Sequence, residues 1–242
     1  RSSAASDVYK RQVLALGVQR MAGRKAVVKT LSSVETLGSA SVICSDKTGT
    51  LTRSEMTIER IVTASGNSRV TGVGYAPVGN LEVEGGGGFK GPLRAEQIVV
   101  LSGGSLAGNA ALRQAENGVW EIQGDPTEAA FLVAERKLEI ADRRRRRFER
   151  IEEIPFSSDR KMMSTIEIDH EHGSERVLVA KGAPDVLMAR CTHVRIGMEV
   201  VPFDAGQRAH AVAEVERLSD DALRTLSVAY RPLADGRPTE CA

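Results

Sequence analysis

The chain has 242 residues, 41% hydrophobic and 27% charged, enough apolar surface for a sizeable core and a smaller second unit. Its 33 basic and 32 acidic side chains leave a net charge of +1, so no global field draws it to nucleic acid or an acidic membrane surface. Cys44, Cys191 and Cys241 are odd in number and far apart, which argues against a disulfide framework or a zinc site, and no window reaches the roughly 18 apolar residues a membrane helix requires.

Residues 1–12 are polar, lack the apolar run of a signal peptide and read as a disordered or extraneous tail. Val13-Leu14-Ala15-Leu16-Gly17-Val18 then runs into Arg20, Arg24 and Lys25, as the end of a helix leaving a larger structure would. Val42, Ile43 and Cys44, between small polar flanks, predict a short strand buried on both faces of a parallel sheet. Asp46 would stand at its carboxyl end, where open α/β sheets place their chemistry. Beyond Met56, alternating segments predict strands over 57–63, 119–122, 163–168, 177–180 and 226–230, an antiparallel set with a short polar hairpin turn at 169–174. Helical windows cover 93–112, 126–140 and 207–218, and Gly85 to Gly88 reads as a flexible loop.

The string Asp46-Lys47-Thr48-Gly49-Thr50-Leu51-Thr52 carries the chemistry. A strand end delivers a carboxylate that can attack a γ-phosphorus in line, and the loop after it offers hydroxyls and N–H groups to phosphate oxygens. A lone aspartate there would merely cap a turn; the whole string demands more. It resembles the phosphorylation motif of P-type ATPases. The resemblance implies that Asp46 is the nucleophile, that Lys47 lies close to the transferred group, and that Thr48 contacts phosphate while its main-chain carbonyl joins Asp46 in holding Mg²⁺. Phosphatases of the haloacid dehalogenase (HAD) type use a similar aspartate with a second one two positions later. Thr48 stands there instead, and without that proton shuttle a phosphoaspartate survives while domains move. Residues 14–21, 34–38 and 42–46 are similar to the stretch leading out of the fourth membrane helix in the calcium-pump-like branch, with Ser54 in place of the usual Asn.

Gly124-Asp125-Pro126-Thr127-Glu128 reads locally as a capping box, with Asp125 the cap, Pro126 at the first helical position and Glu128 three residues past the cap. It also resembles the family's first nucleotide-domain motif, which implies that Glu128 approaches the adenine amino group. The segment from Ile154 to Ser164 resembles the one whose aromatic ring stacks on adenine, implying stacking by Phe156 and an anionic contact by Lys161; an isolated Phe there would be ordinary core. Lys181-Gly182-Ala183-Pro184-Asp185 is similar to the second nucleotide motif, with Asp185 where Glu is usual. By that resemblance Lys181 reaches the bottom of the adenine pocket and Gly182 lets backbone pass close to the base. Asp221-Ala222-Leu223-Arg224-Thr225-Leu226 looks like the segment in which an arginine, here Arg224, meets the phosphates.

The implied fold is α+β: an antiparallel β-sheet flanked by helices, the nucleotide-binding domain, attached to an incomplete HAD-like α/β phosphorylation domain. Residues 13–56 would be the end of a stalk and the first part of the phosphorylation domain, 57–234 the nucleotide-binding domain, and 235–242 a truncated return. The resemblance implies ATP and Mg²⁺, a transported cation held by a missing membrane domain, a missing actuator domain of the same protein, and a place on the cytoplasmic side of a membrane. An ATP-binding module without catalysis, or a HAD-type phosphatase, are the other readings. Arg143 to Arg147 reads as a solvated linker, His170 and His172 as a solvated turn, and Trp120 as core.

Overall fold

The computed structural model describes residues 2–46, 50–52 and 55–233, and the chain divides into two compact units, residues 1–53 and 54–242. In the first, helix α1 (Ser2–Gly23) packs on α2 (Leu31–Gly38). The opening residues are therefore helical and not a disordered tail. No glycine or proline interrupts 2–16, and the alanine, lysine, arginine and leucine there are good helix formers. The expected strand at 42–44 does not form: residues 41–46 have no regular structure, with Val42 74% and Ile43 91% exposed. A strand buried on both faces needs hydrogen-bonded neighbours, and among the described residues none flanks this one.

The second unit opens with an antiparallel meander, β1 (Arg60–Thr63), β2 (Gly66–Val70) and β3 (Leu81–Val83). Helix α3 (Gly91–Leu106) follows, then the hairpin of β4 (Ala111–Gln114) and β5 (Trp120–Gln123), α4 (Pro126–Lys137) and α5 (Ala141–Arg147). Next come β6 (Phe148–Ser157), β7 (Met162–Asp169), β8 (Glu175–Gly182), α6 (Pro184–Arg190), β9 (His193–Ile196), β10 (Glu199–Pro202), α7 (Ala205–Asp220) and β11 (Ser227–Leu233). The central sheet runs β11-β8-β7-β6 and every pairing in it is antiparallel.

Alternation sorts the sheet's faces. Val179 and Val228 meet α3 on one side, while Met162, Ala180 and Ala229 meet Leu187 of α6 on the other. Gly103 and Gly104 let α3 lie this close: a Cβ would come 2.6 Å from Val228 Cγ1 at Gly103 and 2.1 Å from Phe131 Cδ1 at Gly104. Phe131 belongs to a core with Ile61, Val70, Leu101, Ala134 and Ile140, which ties the meander to α3 and α4. Buried Glu96 of α3 extends the tie, accepting from the Ser65 N–H at 2.9 Å and the Gly197 N–H at 2.5 Å.

The expected helix over 93–112 ends at Leu106, because Gly108 and Asn109 break it before β4. Strand β6 escaped the alternation rule. It is an edge strand, exposed along most of its length, and carries the charges, proline and bulges by which edges resist further pairing. The arginine run is helical, forming most of α5, and only partly solvated: Arg143, Arg145 and Arg146 are exposed, while Arg144 meets fully buried Glu135 at 2.8 Å and Arg147 meets Asp169 at 2.5 Å. Arg143 pairs with Glu171 in the turn at 2.6 Å, while exposed His172 lies 3.0 Å from Asp169.

Candidate functional site

The site grows from the start of α4. Asp125 caps the helix, its carboxylate accepting from the N–H groups of Thr127 at 2.7 Å and Glu128 at 3.3 Å. The reciprocal half of a capping box is not made by Glu128. Its Oε2 accepts from the N–H groups of Asn109 at 2.7 Å and Ala110 at 3.1 Å, in the loop between α3 and β4. The cap therefore orients the helix, and the helix presents the glutamate to that loop.

Glu128 Oε1 faces Lys181 Nζ at 3.6 Å. Lys181, at the end of β8, is only 6% exposed; its ammonium also donates to the Gly104 carbonyl at 3.2 Å and stands 5.2 Å from the Phe131 ring centre. Burial pushes the lysine pKa below its ordinary value, and the Glu128 carboxylate pulls part of the way back. The pair borders Gly108, where a Cβ would come 3.1 Å from Lys181 Nζ and 3.4 Å from Glu128 Cδ. A larger residue at position 108 would intrude on both charges.

Phe156, Lys161 and Gly182 lie at the same end of the sheet. Met163 pairs with Lys181 on one side, and on the other it faces the β6 bulge between Ile154 and Ser157 that contains Phe156. At about 4.8 Å per strand step, the Phe156 backbone lies roughly 10 Å from that of Lys181. Its ring is 60% exposed and is not core. Lys161 occupies the β6–β7 turn in the left-handed conformation (φ 52°), with an exposed ammonium 4.0 Å from Asp185. Gly182 pairs with both Met162 and Ser227. A Cβ on it would come 2.5 Å from the Lys161 carbonyl oxygen, so its missing side chain admits the turn that carries Lys161. Arg224 is exposed, three residues before Ser227. Asp46 is exposed in the first unit, and Lys47 and Thr48 lie outside the described residues.

Three participants escaped sequence reasoning: Gly108, Asn109 and Arg150. Arg150 on β6 donates to Gly108 O at 2.8 Å, Asn109 Oδ1 at 2.6 Å and Glu167 Oε1 at 3.3 Å. Burial raises the Glu167 carboxyl above its usual range, and Thr165 and Arg150 offset part of that shift. No local pattern distinguishes Arg150 from the other charges of an edge strand; only the pairing of β6 brings it to the loop.

A family model described as P-type ATPase, cytoplasmic domain N, matches residues 97–241. The chain is 39% identical over 230 residues to a calcium-transporting ATPase of Bacillus subtilis (strain 168), covering 92% of this chain and 25% of that protein. It is 38% identical over 218 residues to a probable cation-transporting ATPase F of Mycobacterium tuberculosis (strain ATCC 25618 / H37Rv), covering 88% and 23%. To calcium-transporting ATPase type 2C member 2 of Homo sapiens it is 34% identical over 230 residues, covering 90% and 23%. It spans about a quarter of the length of these curated relatives. With its antiparallel sheet, flanking helices and matched residues, the chain belongs to the P-type ATPases and carries their cytoplasmic domain N.

Proposed function

We propose that this chain supplies the ATP-binding domain and the phosphate-accepting aspartate of a pump that hydrolyses ATP to move a cation, calcium being the ion favoured by the names of its relatives. The observation that carries the reading is the buried Lys181 beside Glu128, with an exposed aromatic residue, Phe156, and an exposed lysine, Lys161, at the same sheet end. A purine fits such a place. Phe156 offers an apolar face for stacking, Glu128 and Lys181 offer an acceptor and a donor to the base edge, and Lys161 and Arg224 offer charge to the phosphates.

Asp46 would take the γ-phosphoryl on its carboxylate. Mg²⁺, held there by Asp46 and Thr48, would neutralise charge developing on the transferred group. The pump would lie in a membrane, with this chain on its cytoplasmic side and actuator and membrane domains elsewhere in the same protein. ATP carrying a labelled γ-phosphate, supplied with Mg²⁺ to the whole pump, tests this: acid-stable label is expected on the wild type and none on Asp46→Asn. Label that survives the substitution would remove Asp46 as acceptor.

For the chain taken alone, one observation favours a second reading, an ATP-binding module without catalysis: Asp46 ends an exposed segment with no flanking strand among the described residues. ATP binding by this chain without label is then expected, and label on Asp46 of this chain would reject it.

A further inference from the structure

A guanidinium has five N–H donors in a rigid fork. Arg150 directs every one at an acceptor. Nε donates to Glu167 Oε1 at 3.3 Å; Nη1 donates to Asn109 Oδ1 at 2.6 Å and Glu153 Oε2 at 3.2 Å; Nη2 donates to the carbonyls of Leu106 and of Gly108, the latter at 2.8 Å. Leu106 is the last residue of α3, so its carbonyl has no partner within the helix and gains one here. Three of the five acceptors thus belong to the stretch 106–109 that leads into the loop before β4.

That loop is the one whose next two N–H groups, on Asn109 and Ala110, both grip Glu128 Oε2 and leave Oε1 turned to Lys181. Fixing the carbonyls on either side of Ala107 and Gly108, together with the Asn109 side chain, fixes where those N–H groups aim. We infer that Arg150 is a positioning residue of the nucleotide site, acting through the 107–110 loop to hold the Glu128 carboxylate in place. The inference rests on the reading of this sheet end as an ATP site.

Calorimetric titration of the full chain with ATP tests it, alongside circular dichroism and thermal melts. Arg150→Met should weaken ATP binding about tenfold, the scale on which supporting partners act on the groups they orient. Arg150→Lys, with three donors and no fork, should stay several-fold weak, in the sense of roughly the same order as the methionine variant. The decisive measurement is the double variant Arg150→Met/Glu128→Gln, expected to bind ATP no more weakly than Glu128→Gln alone. Because Arg150→Met leaves Glu167 buried without its cation, Arg150→Met/Glu167→Gln provides a folded alternative with both charges removed.

Additive losses in the Glu128 double variant, full recovery by Arg150→Lys, or unchanged ATP affinity in folded Arg150→Met/Glu167→Gln would each overturn the positioning role while leaving the ATP site standing. Failure of the wild type to bind ATP would remove the ATP reading and this inference together, while a Glu128→Gln variant that binds ATP as tightly as the wild type would overturn this inference alone.

Discussion

Val42-Ile43-Cys44 and Val177-Leu178-Val179-Ala180 are alike as sequence: each is a short apolar run that ends near a charged residue, Asp46 in one and Lys181 in the other. In the structure they part. The second run lies in β8 between β11 and β7, hydrogen-bonded along both edges, with Val179 only 3% exposed. The first has no regular structure, and Ile43 is 91% exposed. An apolar run becomes a strand only where neighbours satisfy its N–H and carbonyl groups, and a charge at its end becomes chemically special only where that strand buries it. Lys181 has such a frame within residues 55–233; Asp46 shows none among the described residues.

The largest expected effect tests the framed charge. Lys181→Met should cost about 2–3 kcal/mol of ATP affinity by calorimetry, the scale of a hydrogen bond to a charged group. Melting should fall as well, since Glu128, 3.6 Å away, is left without its cation, so affinities are compared in protein shown to be folded by circular dichroism. Unfolding together with loss of binding would make Lys181 a structural residue. Next, Val179→Ala should cost about 2 kcal/mol of stability in urea unfolding, from lost burial and the cavity left behind. A cost near zero would mean that β8 is less tightly packed than its 3% exposure indicates.

Phe156→Ala should cost about 1.5 kcal/mol of ATP affinity, the scale of base–aromatic stacking, and leave stability alone because the ring is exposed. Equal affinities in two folded proteins would remove Phe156 from the site. Glu96 offers a smaller, pH-dependent test of the frame. Burial alone would raise its carboxyl, but the hydroxyl and N–H donors of Ser65 and the N–H of Gly197 outweigh it, and the pKa falls below the ordinary value. A carboxyl depressed in the fold stabilises above its unfolded pKa, about 4.3, and loses that contribution as pH falls through the folded value. The stability gap between wild type and Glu96→Gln, about 1 kcal/mol at neutral pH, should therefore close on acidification. A gap that widened in acid would reverse the assigned direction. Smallest of all, Ile43→Ala should change stability by less than about 0.5 kcal/mol, as an exposed site predicts. A cost near that of Val179→Ala would show that the two runs share one environment after all.

Local order was legible wherever side chains alternate or cap. The strands expected over 163–168 and 177–180 stand within β7 and β8, their polar turn is a hairpin, and Asp125 caps α4 with Pro126 at its first position. Strand β6 was not legible, because an edge strand carries charges where alternation seeks apolar residues. The partners of the arginine run were equally hidden, since Arg144 and Arg147 are distinguished from their neighbours only by Glu135 and Asp169 on other elements.

Sequence alone was enough to specify the family's short strings and the elements on which most of them ride, since capping, alternation and glycine's small size act over a few neighbouring residues. Tertiary structure alone decided that Phe156 stands exposed in a bulge, that Glu128 turns to the 107–110 loop and not to its own helix cap, and that Arg150 spends all its donors. Those outcomes depend on groups far apart along the chain, which meet only when β6 pairs with β7 and α3 packs on β8 and β11 of the same sheet.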